Sequence, residues 1–146
     1  MDTLVERQVE LPDPKRSGGS IVWKLSARGL EWEGGQSRAA WMPFACMRRI
    51  TLGSVDKLGG WRMRIEGPPG SVLIGSSHRG AHESPDASQR FTVLASDIIR
   101  ESAQRGCPPK FRLNNNRIIL EVLWTWSGSV VNDPETLLTQ LDVSPK

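Results

Sequence analysis

The stretch Trp61-Arg62-Met63-Arg64-Ile65-Glu66 constrains this chain more than any other. Apolar and charged residues alternate at a period of two, the spacing of a strand with one face on a core and one face toward solvent. Gly67-Pro68-Pro69-Gly70 then supplies a turn, and SVLIG (71–75) reads as the return strand. The same texture recurs upstream. SIVWKL (20–25), the turn SARG (26–29) and LEWE (30–33) form a hairpin, with Leu30 and Trp32 on one face and Glu31 and Glu33 on the other. Pro43 marks a strand edge or break in AAWMPFACM, after which RRITL resumes.

One long helix interrupts this pattern. Ser84 caps it, Pro85 suits its first position, and Phe91, Leu94, Ala95, Ile98 and Ser102 recur at helical spacing. Gly106 stops it, and Pro108-Pro109 prevent resumption. Beyond it, RIILEVLWTWSGSVV reads as one long or two short strands. NDPETLLTQLDV reads as a short helix with Asp133 at its cap.

Composition adds bounds. A length of 146 residues suffices for one domain with a core, and 14 glycines and 10 prolines favour many turns. The net charge of +3 is far below the dense basic stripe of a nucleic-acid binder, so no nucleic-acid partner is expected. Between Ser20 and Glu66, however, eight Lys/Arg (24, 28, 38, 48, 49, 57, 62, 64) face four acids (31, 33, 56, 66). The two cysteines, Cys46 and Cys107, are too few for a disulfide framework and point to reduced thiols and a cytoplasmic protein. The first residues lack the apolar segment of a signal peptide, and no run approaches the roughly 18 apolar residues of a membrane span.

The order of these pieces resembles the bacterial branch of the pleckstrin-homology-like superfamily over residues 20–106. The pieces are VWKLSARGLEW as first hairpin, WMPFACMRRITL entering the second sheet, WRMRIEG…SVLIGSS as its hairpin, and RFTVLASDIIRESAQRG as closing helix. The resemblance implies a mainly β (α+β) fold: a partly open barrel of two antiparallel sheets capped by one amphipathic helix, with a short β/α tail. It also implies a binding module rather than an enzyme. Residues 1–19 would be an arm or an edge strand. Residues 107–146 would be an extension that packs on the barrel, pairs with a strand edge or joins two copies. Phosphoinositide-binding members carry a Lys…Arg-x-Arg motif around the first hairpin loop. Here that loop is only LSARG, with Lys24 before it and Arg28 in it, and Arg62 and Arg64 have the spacing but sit on a later strand, so phosphoinositide recognition is not implied.

Four cations are candidates for a basic binding face: Lys24, Arg48, Arg62 and Arg64. Forked guanidinium donors suit phosphate or carboxylate groups. Against that reading stands the ordinary solvated face of an antiparallel sheet. Arg48 and Arg49 cannot both point outward on a regular strand, so one of them requires an acidic partner, a bulge or an inward position. Leu120, Val122, Trp124 and Trp126 share a strand face that either completes the core or meets a partner. His78 and His82, spaced i, i+4 beside Glu83, would present two metal ligands on a helix, but Gly80 and Pro85 disfavour a helix there and no third ligand is evident. No catalytic motif is present, and no cofactor or metal is expected. The leading expectation is a non-enzymatic module binding a protein partner or a second copy. The alternatives are weak attachment to an anionic membrane surface and a small metal-dependent enzyme using His78 and His82.

Overall fold

The computed structural model describes residues 6–34, 37–55, 60–68, 70–78, 81–118, 129–131 and 133–142. Strands β1 (Arg7–Pro12), β2 (Ser20–Ser26), β3 (Gly29–Gly34) and β4 (Ser37–Pro43) form an antiparallel sheet in that order. A 3-10 turn, Phe44–Cys46, leads into β5 (Arg49–Val55), β6 (Trp61–Gly67) and β7 (Gly70–Gly75). Helix α1 (Pro85–Ala103) follows, then β8 (Lys110–Ile118), β9 (Ser129–Val131) and helix α2 (Pro134–Asp142). The second sheet has the order β7-β6-β5-β8-β9.

Side-chain alternation explains how the two sheets meet. Val9, Leu11, Ile21, Trp23, Leu25, Leu30 and Met42 are buried on the inner face of the first sheet. Ile50, Leu52, Met63, Ile65, Val72, Ile74 and Phe111 are buried on the inner face of the second. The expected mainly β architecture is therefore present as a partly open sandwich with a helix closing it. The second sheet differs from an all-antiparallel one in a single pairing: β8 runs parallel to β5. Parallel neighbours need a long crossover, and here β6, β7 and α1 together make it. Arg48 sits at the junction, its N–H donating to Glu66 O at 2.8 Å and its carbonyl accepting from Lys110 N–H at 2.9 Å. Gly67 lies against the carbonyl of Cys46 so closely that no side chain fits at that position.

Helix α1 starts where its cap residue places it. Ser84 is extended, and its hydroxyl accepts from Ala87 N–H at 3.2 Å, with Pro85 in the first turn. The stripe Phe91, Leu94, Ala95, Ile98 and Ser102 is buried throughout. The helix ends at Ala103, three residues before Gly106, because Gln104 N–H already closes on the Glu101 and Ser102 carbonyls. Arg7 of β1 reaches Asp97 at 2.6 Å, and Arg90 reaches the Glu10 carbonyl at 3.1 Å. Thus β1 is both hydrogen-bonded to β2 and tied to the helix. Helix α2 packs Leu137, Leu138 and Leu141 into the same core. Asp133 opens it, accepting from Glu135 N–H at 3.0 Å. Residues 119–128, including Leu120, Val122, Trp124 and Trp126, lie outside the described residues. Among the described residues no helix is long and apolar enough to cross a membrane.

The contributions of these contacts are unequal. Phe91→Ala leaves a core cavity and is expected to lower stability by about 3–5 kcal/mol in urea titrations. Asp97→Asn removes a partly exposed ion pair and is expected to cost less than about 1 kcal/mol.

Candidate functional site

Two surfaces carry the chemistry-bearing residues, one on each sheet. The first is the outer face of β1–β4 together with its free edge. The β3–β4 ladder fixes what that edge offers. Phe44 N–H donates to Arg28 O at 3.2 Å, and Leu30 pairs with Met42 and Trp32 with Ala40 in the same register. Hydrogen-bonded pairs in an antiparallel ladder recur every second residue. Met42 and Ala40 therefore turn their backbone groups toward β3. Trp41 turns both its N–H and its C=O away from the sheet, and Pro43 turns only a carbonyl outward. Among the described residues β4 has no strand on that side. A proline at this position is the mark of an edge strand.

The Trp41 side chain lies on the outer face and is 45% exposed, with the Arg28 guanidinium 5.7 Å from its ring centroid. That distance is within cation–π range. Beside it runs an open groove of about 590 Å³, lined by Gln8, Lys24, Arg28, Glu31, Glu33 and Trp41 among others. Lys24 and Glu31 are direct cross-strand partners, so the groove floor carries both signs of charge. An extended segment laid along β4 would place alternate side chains over this floor, because strand side chains alternate between faces.

The second surface is the outer face of β6-β5-β8. Register sets its rows. Arg64, Thr51 and Arg112 lie side by side, and Glu66, Arg49 and Lys110 form the next row. Arg49 meets Glu66 at 3.3 Å, which gives the second member of the Arg48-Arg49 pair its acidic partner. Arg48 itself is exposed, its guanidinium 3.5 Å from Ala45 O. Burial pushes the Arg64 guanidinium below its usual range, and the Glu66 carboxylate opposes that shift. Thr51 is fully buried, and its hydroxyl has no hydrogen-bond partner among the described residues.

The basic face expected from Lys24, Arg48, Arg62 and Arg64 does not form as one patch. Lys24 belongs to the other sheet. Arg62 is 2% exposed, so it neither keeps a sheet face wet nor lies open to a ligand. The alternation along β6 is real, but its outer face is covered at this end. Pro14, in the turn after β1, packs over Gly75 beside the Arg62 side chain. The guanidinium donates to Trp61 O at 2.9 Å and Ser77 Oγ at 3.2 Å. Hydrogen bonds of this kind offset the desolvation of a buried charge. Nearby, Ser76 Oγ bridges the Trp61 N–H and the Glu83 carboxylate. The glycine opposite Arg62 is required because a Cβ at Gly75 would stand 2.6 Å from Pro14 and 3.1 Å from Arg62 Nη1.

His78 and His82 both lie outside helix and strand, on either side of residues 79–80, which are outside the described residues; Ala81 N–H donates to the His78 carbonyl at 3.2 Å. Among the described residues no group of three His, Cys, Asp or Glu side chains is gathered in metal-ligand fashion. Cys46 packs against the core and Cys107 is exposed, both as free thiols. Trp41, Lys110 and Arg112 are the site residues that sequence reasoning left out. Pro43 was the signal for the first, since it marks the edge on which Trp41 sits. Nothing local signals the other two, because their place depends on β8 docking beside β5.

Comparison with known proteins returns no matching family model, no matching curated protein and no matching solved structure. The site must be judged on its own chemistry. Arg62→Ala deletes a fully buried side chain with its hydrogen bonds and leaves a cavity, so it is expected to destabilise by about 3 kcal/mol. Arg48→Ala at the exposed junction is expected to stay within about 0.5 kcal/mol of the wild type. Parallel thermal and urea unfolding of the two variants makes the comparison.

Proposed function

We propose that this chain is a non-enzymatic interaction module that takes an extended protein segment, from a partner or from a second copy, as an added strand along β4. One observation carries the reading. The free edge of β4 presents the Trp41 N–H and C=O in the direction a new strand would occupy, with the exposed Trp41 ring and the mixed-charge groove beside it. Strand addition draws affinity from backbone hydrogen bonds and selectivity from pockets that receive alternate side chains. Tryptophan is a frequent anchor in such contacts.

Within residues 20–106, three strands of the first sheet, three of the second and a closing helix follow one another, an order compatible with the pleckstrin-homology-like resemblance, which supports a binding role. Two free thiols suit a reducing compartment, and a cytoplasmic location is part of the proposal.

The test separates backbone from side chain. Trp41→Pro removes an outward N–H that serves no bond to β3, whereas Trp41→Ala removes the ring and keeps the N–H. Light-scattering mass over a wide concentration range reads self-association. A displayed library of random peptides, with hydrogen exchange at the Trp41 amide, reads partner binding. We expect a doubled mass or a selected peptide that protects this amide. Binding should be lost in Trp41→Pro and weakened about thirtyfold in Trp41→Ala. A chain that stays monomeric and selects no peptide, or a complex indifferent to Trp41→Pro, overturns the reading.

A further inference from the structure

The outer face of the first sheet reaches well beyond the edge that strand addition uses. One row of side chains crosses all four strands in direct register: Gln8 on β1, Lys24 on β2, Glu31 on β3 and Trp41 on β4. All four are exposed, and all four line the open groove of about 590 Å³. That volume suits a small ligand. Adjacent strands stand roughly 4.8 Å apart, so a segment added outside β4 runs about 14 Å from β2 and leaves the groove over β1 and β2 open. Arg28 and Glu33 add to the polar lining. Among the described residues, no ion pair or hydrogen bond takes up the side-chain charge of Lys24, Arg28, Glu31 or Glu33. Lys24 and Glu31 stand opposite one another on the ladder without joining.

We propose that this groove binds a neutral oligosaccharide. The lining argues against an ion. Lys24 and Arg28 balance Glu31 and Glu33, so an anion would meet two carboxylates and a cation would meet two positive groups. A sugar hydroxyl both donates and accepts. Neighbouring hydroxyls of one ring can donate to a carboxylate and accept from an ammonium or guanidinium, and such charge-assisted bonds are the stronger kind. Trp41 supplies the apolar element. It is 45% exposed even with the Arg28 guanidinium 5.7 Å from its ring centroid, and the C–H face of a pyranose packs on a flat aromatic surface. The strand spacing of roughly 4.8 Å is also close to the advance of one pyranose unit in an extended chain. Successive rings laid across the sheet therefore meet successive members of the Gln8–Lys24–Glu31–Trp41 row. A peptide added along β4 runs parallel to the strands and has no such match.

The informative variants are Trp41→Ala and the double variant Lys24→Ala/Glu31→Ala. All three positions are exposed, so both proteins should melt close to the wild type. Arg48→Ala, away from this groove, is the control. The probe is an array of neutral glucose, mannose, xylose and N-acetylglucosamine oligosaccharides in α and β linkage, beside sulfated and amino-bearing counterparts. Calorimetric titration with the bound sugar then gives affinities for the wild type and the variants.

The expected result is binding of at least one neutral series, with affinity that rises with chain length up to about three rings, the reach of the row across the sheet, and then levels. Affinity should fall about tenfold or more in Trp41→Ala and in the double variant, and hold in Arg48→Ala. The double variant also separates this site from strand addition, because it keeps the Trp41 backbone and ring and so should keep peptide binding or self-association while sugar binding is lost. An array with no neutral oligosaccharide bound overturns the proposal. So does tighter binding of the sulfated or amino-bearing series than of the neutral one, which would make the groove a charge site. Sugar binding indifferent to Lys24→Ala/Glu31→Ala overturns it as well.

Discussion

The apolar stripe of α1 needs a surface to cover it, and the two sheets together provide one. Phe91, Leu94 and Ile98 are fully buried against strands of both sheets, and Ala95 is nearly so. Burying one such side chain contributes roughly 1.5–3 kcal/mol, far more than an exposed ion pair such as Arg7 with Asp97. The helix can satisfy this demand only by lying across the open side of the sandwich. That position then dictates where the chain re-emerges. Lys110 meets the Arg48 carbonyl, and β8 starts level with β5 and runs alongside it in the same direction. Both candidate surfaces depend on this arrangement. It leaves β4 as the outermost strand of the first sheet, and it brings Arg112 next to Thr51.

Charge follows packing on the second sheet. Alternation along β6 assigns Arg62, Arg64 and Glu66 to the same face, yet the three side chains end in different surroundings. Glu66 pairs with Arg49, Arg64 is half-buried in a row with Thr51, and Arg62 is enclosed below Pro14. A strand face is only as wet as its neighbours allow. Here the turn after β1 converts one position of that face into an interior one. Gly75 opposite Arg62 is the local accommodation, since any side chain there would occupy the space of the arginine or of Pro14.

The first sheet shows the opposite outcome. Its outer face has no helix over it among the described residues, and its acids and bases stand in register across strands, as Lys24 and Glu31 do. Paired charges of this kind keep a sheet soluble without making it a strong field. What distinguishes this face is the edge. Trp41 has a large apolar ring in partial contact with water and backbone groups turned outward, whereas its neighbour Met42 is buried and bonded inward. The difference between adjacent residues comes from ladder parity alone.

Local pattern alone determined much of this protein. The period-two alternation in 61–66, the hairpin of 20–33, the Ser84-Pro85 helix start and the Asp133 start of α2 are each encoded in a few neighbouring residues, because strand pleat, caps and turns act over short spans. The basic residues of β6 were legible in the same way as members of one face. Tertiary structure decided the rest. It drew LysPheArgLeuAsnAsnAsn (110–116), a segment poor in strand formers toward its end, into β8 because β5 had an unfilled edge. It also decided that Arg62 is buried, that Lys24 is far in the topology from the other cations, and that Thr51 sits between two arginines. These facts depend on which strands become neighbours. Neighbours are chosen by burial of the whole core, a quantity that no short stretch of sequence contains.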